Sequence, residues 1–445
     1  MSLINLRENY KTVGEIFIKD VQSLKPFPER LEYSCPARGT WTIAHTSMLL
    51  PESHQIFIGA SACLRGVVLS AGEYEGLDRF SMLLIDEEDI IFGNMEKIII
   101  DGISDIINNL PYKPRAVLGF CSCIHHFILT DFSYVYENLN RIFPDIDFLN
   151  CSMHPTMRKN TPNVEEHLIS SLYSPLEKRI FAKKKQVNLI GGNLPIDPLS
   201  DHIKLLSENG IEIKDLARCN RYEEYIDMGE SSLNIYSLPN ANYACKNLNE
   251  KLNQDYIYLP YSWEYDDIES GLNRISEYFE LPKVDVINLR KNADAALKKA
   301  RSVIGESPIS IDFSATPMYL GLAKLLVEHK FNVVALYGDV IINDEKETLD
   351  WLRENAPGLK LIPTKDFHAR FNKSSESPIF KKKHLAIGQK AAYFSGTDYF
   401  VNMIENNASY GFYSIEKLSN LMIDAFFNKK DRRKIIQVKG LGCSA

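Results

Sequence analysis

Three cysteines occupy short turns rich in small residues within the first third of the chain. They are Cys35 in Ser34-Cys35-Pro36-Ala37-Arg38-Gly39, Cys63 in Gly59-Ala60-Ser61-Ala62-Cys63-Leu64-Arg65-Gly66, and Cys123 in Phe120-Cys121-Ser122-Cys123-Ile124-His125-His126. Thiolates are soft, charge-neutralising donors that hold iron in clusters. A site assembled from distant loops needs one such donor per loop, where the backbone can approach closely. Iron–sulfur ligation, and with it electron transfer, is the chemistry these residues suggest. Zinc is the competing metal for the stretch from Cys121 to His126, since cysteine and histidine are its usual donors. The donors there are crowded, however, and no second Cys/His pair has finger-like spacing. Cys121 is expected to be a packing thiol.

A second group, Cys151-Ser152-Met153-His154-Pro155-Thr156-Met157-Arg158, offers a thiol, an imidazole and a guanidinium just after the expected strand Ile146 to Leu149. Such groups can donate protons or clamp an anion. His154 and Arg158 are therefore candidate cavity residues, together with Arg65 just past the second cysteine and, more weakly, His167. Cys219, Cys245 and Cys443 are expected to take no part in a cluster.

These residues must be positioned by an α/β framework. Gln55 to Gly59 and Arg115 to Phe120 are apolar runs ending at small residues, as buried parallel strands do, and Cys63 and Cys123 follow directly. Open α/β sheets bind ligands beyond the carboxyl ends of their strands, so both cysteines fall where a site belongs. The run Met95 to Leu110 is expected to be a helix between them. Residues 1–30 read as an arm, with a helix from about Glu8 to Leu24 stopped by Pro26 and Pro28. A first domain over 31–185 carries the cysteines. The charged stretch from Glu177 to Lys185 marks its end, and a second domain covers 186–304. The third, 305–445, opens a clear strand–helix series at Ile309 to Phe313 and ends in a helix from about Ser414 to Phe427 with a basic tail. The expected fold is α/β, with three Rossmann-like doubly wound domains built on parallel sheets.

With 445 residues the chain can hold such domains and their cores. A net charge of −7 leaves no basic footprint for nucleic acid. No apolar window long enough to span a membrane occurs, and the first twenty residues have no apolar signal core. A cytoplasmic location is expected. There, eight cysteines are more readily metal ligands or buried thiols than disulfides. No glycine-rich phosphate loop ending in Gly-Lys-Ser or Gly-Lys-Thr is present, so ATP hydrolysis of that type is not expected of this chain.

Taken in order, Cys35-Pro36, Gly59-Ala60-Ser61-Ala62-Cys63, Glu87-Glu88-Asp89-Ile90-Ile91-Phe92-Gly93-Asn94, and Cys123 followed eight residues later by Asp131 resemble the component 1 superfamily of nitrogenases and nitrogenase-like reductases. The acidic-Asp-Ile-Ile-Phe-Gly string is the most specific part. Weaker similarity runs through Asn242-Tyr243 to the third α/β unit. The resemblance implies three Rossmann-like domains and a pairing with a homologous subunit or with a second copy of the chain. It also implies an electron-relay cluster at the subunit interface, for which Cys35, Cys63 and Cys123 match the ligands, the spacing to Asp131 favouring Cys123 over Cys121. Both a [4Fe–4S] cluster completed by the partner and a P-cluster-like [8Fe–7S] core are compatible with three cysteines. A separate ATP-dependent iron protein, a homodimer, would deliver the electrons.

The chain also departs from the pattern. In true nitrogenases a cysteine of the second domain and a histidine near the C-terminus hold the iron–molybdenum cofactor. The first falls at about Ser237, and the segment around Tyr410-Gly411-Phe412 has no histidine. Dinitrogen reduction is therefore not expected. The resemblance allows a differently ligated second cluster in the cavity or an organic substrate, with a double or carbon–sulfur bond a better candidate than dinitrogen. An alternative of another class is a scaffold for metallocluster assembly that turns over no substrate.

Overall fold

The structure is a computed structural model that describes residues 14–28, 32–33, 35–37, 43–73, 75–152, 162–177, 183–366 and 383–437. Three parallel sheets organise it. A two-residue strand, β1 (Ile16–Phe17), precedes the first sheet, which contains β2 (Ser53–Gly59), β3 (Phe80–Leu84), β4 (Ala116–Cys121) and β5 (Asp147–Asn150) in the order β3-β2-β4-β5. The second repeats this order with β6 (Lys183–Ile190), β7 (Glu212–Asp215), β8 (Ser231–Tyr236) and β9 (Asp255–Tyr258), arranged β7-β6-β8-β9. The third contains β10 (Ile309–Asp312), β11 (Val333–Tyr337), β12 (Lys360–Ile362), β13 (Leu385–Ile387) and β14 (Phe400–Val401) in the order β12-β11-β10-β13-β14, and β1 caps its β12 edge antiparallel. This is the doubly wound α/β fold expected from the sequence. In each sheet the chain leaves the first-formed strand toward one side and returns on the other, creating a switch point at the strands' carboxyl ends.

Side-chain alternation explains why the strands are buried. All seven residues of β2 are buried. Phe57 feeds the cluster that joins the first and second units, stacking 4.3 Å from Phe120, while Ile56 and Ile58 feed the cluster on the opposite face. A strand covered on both faces reads as a continuous apolar run because its neighbours on each face are helices. On one of those faces Ile99, Ile103 and Ile107 of the helix Met95–Asn109 are buried at helical spacing. A second large core runs without interruption from Val187 and Leu233 through Ile309 and Ile311 to the helix Phe412–Phe427, after which the expected basic tail forms a short helix, Arg432–Gln437.

The N-terminal arm differs from the expected helix. Within its described part, Ile16–Phe17 is extended and Ile18–Asp20 forms a single 3-10 turn. The cause is the exposed edge of β12: Ile16 and Phe17 pair with Leu361 and Lys360, and Ile18 N–H donates to the Leu359 carbonyl at 2.7 Å. Edge pairing satisfies backbone groups that a lone helix would leave to local propensity. Strand β3 and the short strands β12 and β14 carried too little pattern to be anticipated.

Candidate functional site: a thiol pair at a switch point and an interdomain cavity

Cys63 and Cys123 both follow neighbouring strands at the switch point of the first sheet. β2 and β4 are parallel neighbours, with Ile58 opposite Cys121. Cys63 lies in the first turn of the helix Ser61–Glu73 after β2, and Cys123 begins the helix Cys123–Phe127 after β4. The two exit loops touch: Ser122 N–H donates to the Ile58 carbonyl at 3.0 Å, and a Cβ on Gly59 would lie 2.6 Å from Ser122 Oγ. Only glycine permits this approach. Cys63 is exposed and Cys123 half-buried, so both thiols are accessible.

Cys35 is placed differently. It is buried in a small apolar cluster with Ala335, Tyr337, Ile362 and Ala391 of the third unit. Among the described residues, no three Cys, His, Asp or Glu side chains gather closely enough to hold a metal ion. This chain thus supplies two accessible soft donors on neighbouring strand exits, of the kind an iron–sulfur cluster takes, and a third packed against the third unit. Cys219 is half-buried, with its thiol pushed up to about 11 chiefly by burial, Cys443 lies outside the described residues, and three further thiols are inert by burial. Cys121 and Cys151 are enclosed in the cores, and desolvation pushes both thiols up, holding them protonated. Cys245 is likewise buried, with its thiol pushed up.

Large apolar side chains are exposed near these two loops. Leu84, paired with Gly59 at the end of the edge strand β3, is exposed, as are Ile91 and Phe127 on neighbouring helices and Leu129 in the turn after the helix Cys123–Phe127. The string that includes Asp89-Ile90-Ile91-Phe92-Gly93-Asn94 forms the rim. Asp86 caps the helix Glu87–Phe92 in a capping box with Asp89, Gly93 turns with φ +74°, and Asn94 caps the helix Met95–Asn109. Asp131 has a structural role, accepting from Tyr134 N–H as the N-cap of the helix Phe132–Ile142.

A separate cavity of about 330 Å³ opens where all three units converge. Ile43 and Thr46 come from the helix Ile43–Ser47, and Leu168 and Ile169 from the helix Val164–Leu172. Asn193 and Asn240 follow β6 and β8, and Phe313 and Ser314 follow β10. These are again carboxyl-end positions. The polar groups form a chain across the units: Thr46 Oγ1 donates to Asn193 Oδ1 at 2.8 Å, and Asn193 Nδ2 lies 3.2 and 3.3 Å from the two carboxyl oxygens of Glu405. Burial raises the Glu405 carboxyl to about 7, against the opposing hydrogen bond from Asn193, and the nearby Glu165 raises it further.

Glu405 owes its position to an unusual turn. Four successive non-glycine residues, Glu405, Asn406, Asn407 and Ala408, have φ between 46° and 59°. Left-handed backbone costs about 1–2 kcal/mol per L-residue, and the structure holds it with bonds from two units. Glu405 and Asn406 N–H donate to the Ser314 and Ala315 carbonyls, while Asp197 N–H donates to Ala408. Strain maintained in this way concentrates at functional sites. Neither Glu405 nor its partners were apparent in the sequence; the faint signals were Asn406-Asn407, which tolerates left-handed turns, and the Gly191-Gly192-Asn193 strand exit.

The remaining candidate residues are distributed as follows. His154 and Arg158 lie outside the described residues. Arg65 is exposed on the helix Ser61–Glu73 and does not line the cavity. His167 shares the helix of Leu168 and Ile169, and burial lowers its imidazole. Ser237 lines a small pocket of about 30 Å³ and hydrogen-bonds with Tyr261. Tyr410 is buried edge-on against His202, and a Cβ on Gly271 would lie 2.3 Å from its hydroxyl. The cavity's described lining holds no cysteine or histidine. Its oxygen and amide groups do not suit a soft metallocluster.

A profile of the family described as nitrogenase component 1 type oxidoreductase matches residues 57–379. Comparison with curated proteins finds no similar sequence. Among solved structures, "Nitrogenase Cp1 at pH 6.5" is similar with a TM-score of 0.66 and 12% identity, covering 92% of this chain and 96% of that one. "Nitrogenase Cp1 at pH 5" gives a TM-score of 0.58 and 14% identity, with 93% of each chain covered. At these identities the structures speak for the fold, and the family match, which extends from β2 through the third sheet's β12, carries the assignment. The chain belongs to the nitrogenase component 1 type oxidoreductase family.

Proposed function

We propose that this chain is a subunit of a nitrogenase-like reductase that relays low-potential electrons to an organic substrate in the interdomain cavity. The observation that carries this reading is the close approach, at one switch point, of the two strand exits that lead into Cys63 and Cys123, both accessible and near exposed apolar side chains. An iron–sulfur cluster would be held by Cys63 and Cys123, with Cys35 as the third donor once it leaves its packing and with the partner subunit completing the set. When bound, such a cluster passes single electrons. The apolar rim suits a homologous subunit or a second copy of the chain, and an ATP-dependent iron protein is the proposed electron source in a reducing cytoplasm. His154 and Arg158 are proposed to assist at the substrate, Arg65 to act beside Cys63 on the same helix, and Glu405 to fix the substrate's orientation. The cavity's lack of soft donors among its described lining favours substrate binding over storage of a cluster precursor.

The test is anaerobic co-purification with the partner subunit, followed by iron and sulfide analysis and EPR. Bound iron that is lost in Cys63→Ala is expected. A wild-type complex without iron overturns the proposal, and full iron in the variant overturns the ligand assignment.

A further inference from the structure

The interdomain cavity has a chemical bias that the proposed reductase role does not specify. Its walls are apolar, built by Ile43, Leu168, Ile169, Leu238 and Phe313, and its described lining includes two carboxylates and no Lys, Arg or His. Lys390 is engaged over the Phe313 ring at 4.6 Å and is not part of the lining. Glu405 is 8% exposed, and Asn193 fixes both its oxygens. Asn240, on the same wall, has a buried Oδ1 with no hydrogen-bond partner among the described residues. A buried acceptor left unpaired costs free energy that a ligand donor recovers. Among the described residues, an anion entering this space would meet two carboxylates and no counter-charge, whereas an ammonium would meet a carboxylate and an amide oxygen with no described partner.

We infer that the cavity takes a largely apolar organic molecule bearing a positively charged amine, received by the Glu405 carboxylate and by Asn240 Oδ1, in preference to an anionic ligand. The inference rests on the cavity being the substrate site. The titratable groups that act on or feel Glu405 are Glu165 from the helix Val164–Leu172 and Tyr261 beyond β9, and Tyr319 of the helix Tyr319–Glu328 lines the same cavity. None supplies a positive charge. With its carboxyl raised by burial to about 7, Glu405 gains a proton as the pH falls from 8 toward 6.

The test uses a charge-matched pair of probes, tryptamine and indole-3-acetate, titrated by calorimetry into the full chain purified anaerobically with its partner subunit. Tryptamine is expected to bind at least about tenfold more tightly than indole-3-acetate at pH 8, and to weaken about tenfold at pH 6 as Glu405 takes up its proton. Glu405→Gln should remove that pH step and most of the preference. Equal or tighter binding of indole-3-acetate, no heat from tryptamine, or wild-type tryptamine binding that ignores pH would overturn the inference. The wild-type comparisons decide even if the variant fails to fold. Iron analysis of the same samples separates the two readings: iron present without amine preference defeats this inference alone, and iron absent with amine preference intact defeats the relay cluster alone.

Discussion

At the scale of single residues, accessibility separates the cysteines that can do chemistry from those that only pack. Cys63 and Cys123 are reachable and adjacent to each other's loops, whereas Cys121, two residues from Cys123, is sealed in the core with its thiol pushed up. Cys123→Ala is therefore expected to lose iron from the assembled complex, while Cys121→Ala keeps it, as read by iron analysis and EPR. Asp131 provides a control. Its carboxylate caps a helix from outside the thiol pair, so Asp131→Ala should cost about 1 kcal/mol in chemical denaturation and leave iron content unchanged.

At the scale of elements, the site depends on how closely two strand exits approach. Gly59→Val would place side-chain atoms against Ser122 and push the exits of β2 and β4 apart. Overpacking of this kind costs about 1–3 kcal/mol, and here it should also lower iron occupancy in the complex. Normal iron in a destabilised Gly59→Val protein would show that the approach matters for packing only. Gly388, φ +103°, has the same role in the third sheet, where a Cβ would fall 2.1 Å from Asp312 Oδ2. Asp312 accepts there from Ser314, Ala315 and Ala391 N–H, tying the exits of β10 and β13 together.

At the scale of the whole molecule, buried titratable groups couple stability to pH. Burial raises Glu345 to about 8 and Glu405 to about 7, so the folded chain holds protons there that the unfolded chain has released. It holds His54, His202 and His384 down to about 4, 3 and 3, and the folded chain lacks protons that the unfolded chain binds below about pH 6.5. The two sets oppose each other in mild acid. Above about pH 7 most of the unfolded chain's imidazoles have released their protons and the two carboxyls prevail, and because the folded state then binds more protons, stability falls as pH rises toward 8. Thermal melts should show this fall, and Glu345→Gln should flatten it. A wild-type melting temperature that climbs over the same interval would contradict the burial of these acids.

The same three scales divide what was legible beforehand. Apolar strand runs ending at glycine, helical spacing of isoleucines, and cysteines in small-residue turns are local patterns, so the sequence by itself determined the α/β class, the family and the turns that carry Cys63 and Cys123. Residues distant in the chain had no such marker. Only the tertiary structure decided that Thr46, Asn193 and Glu405 form one hydrogen-bonded chain, that a left-handed turn presents Glu405, and that Cys35 packs against the third unit. The arm shows the same limit: its residues became an edge strand because β12 offered unpaired backbone, a partner outside any local window. Local periodicity specifies elements because it reflects each residue's immediate neighbours, while a cavity between three units is specified by contacts that exist only once those units have packed.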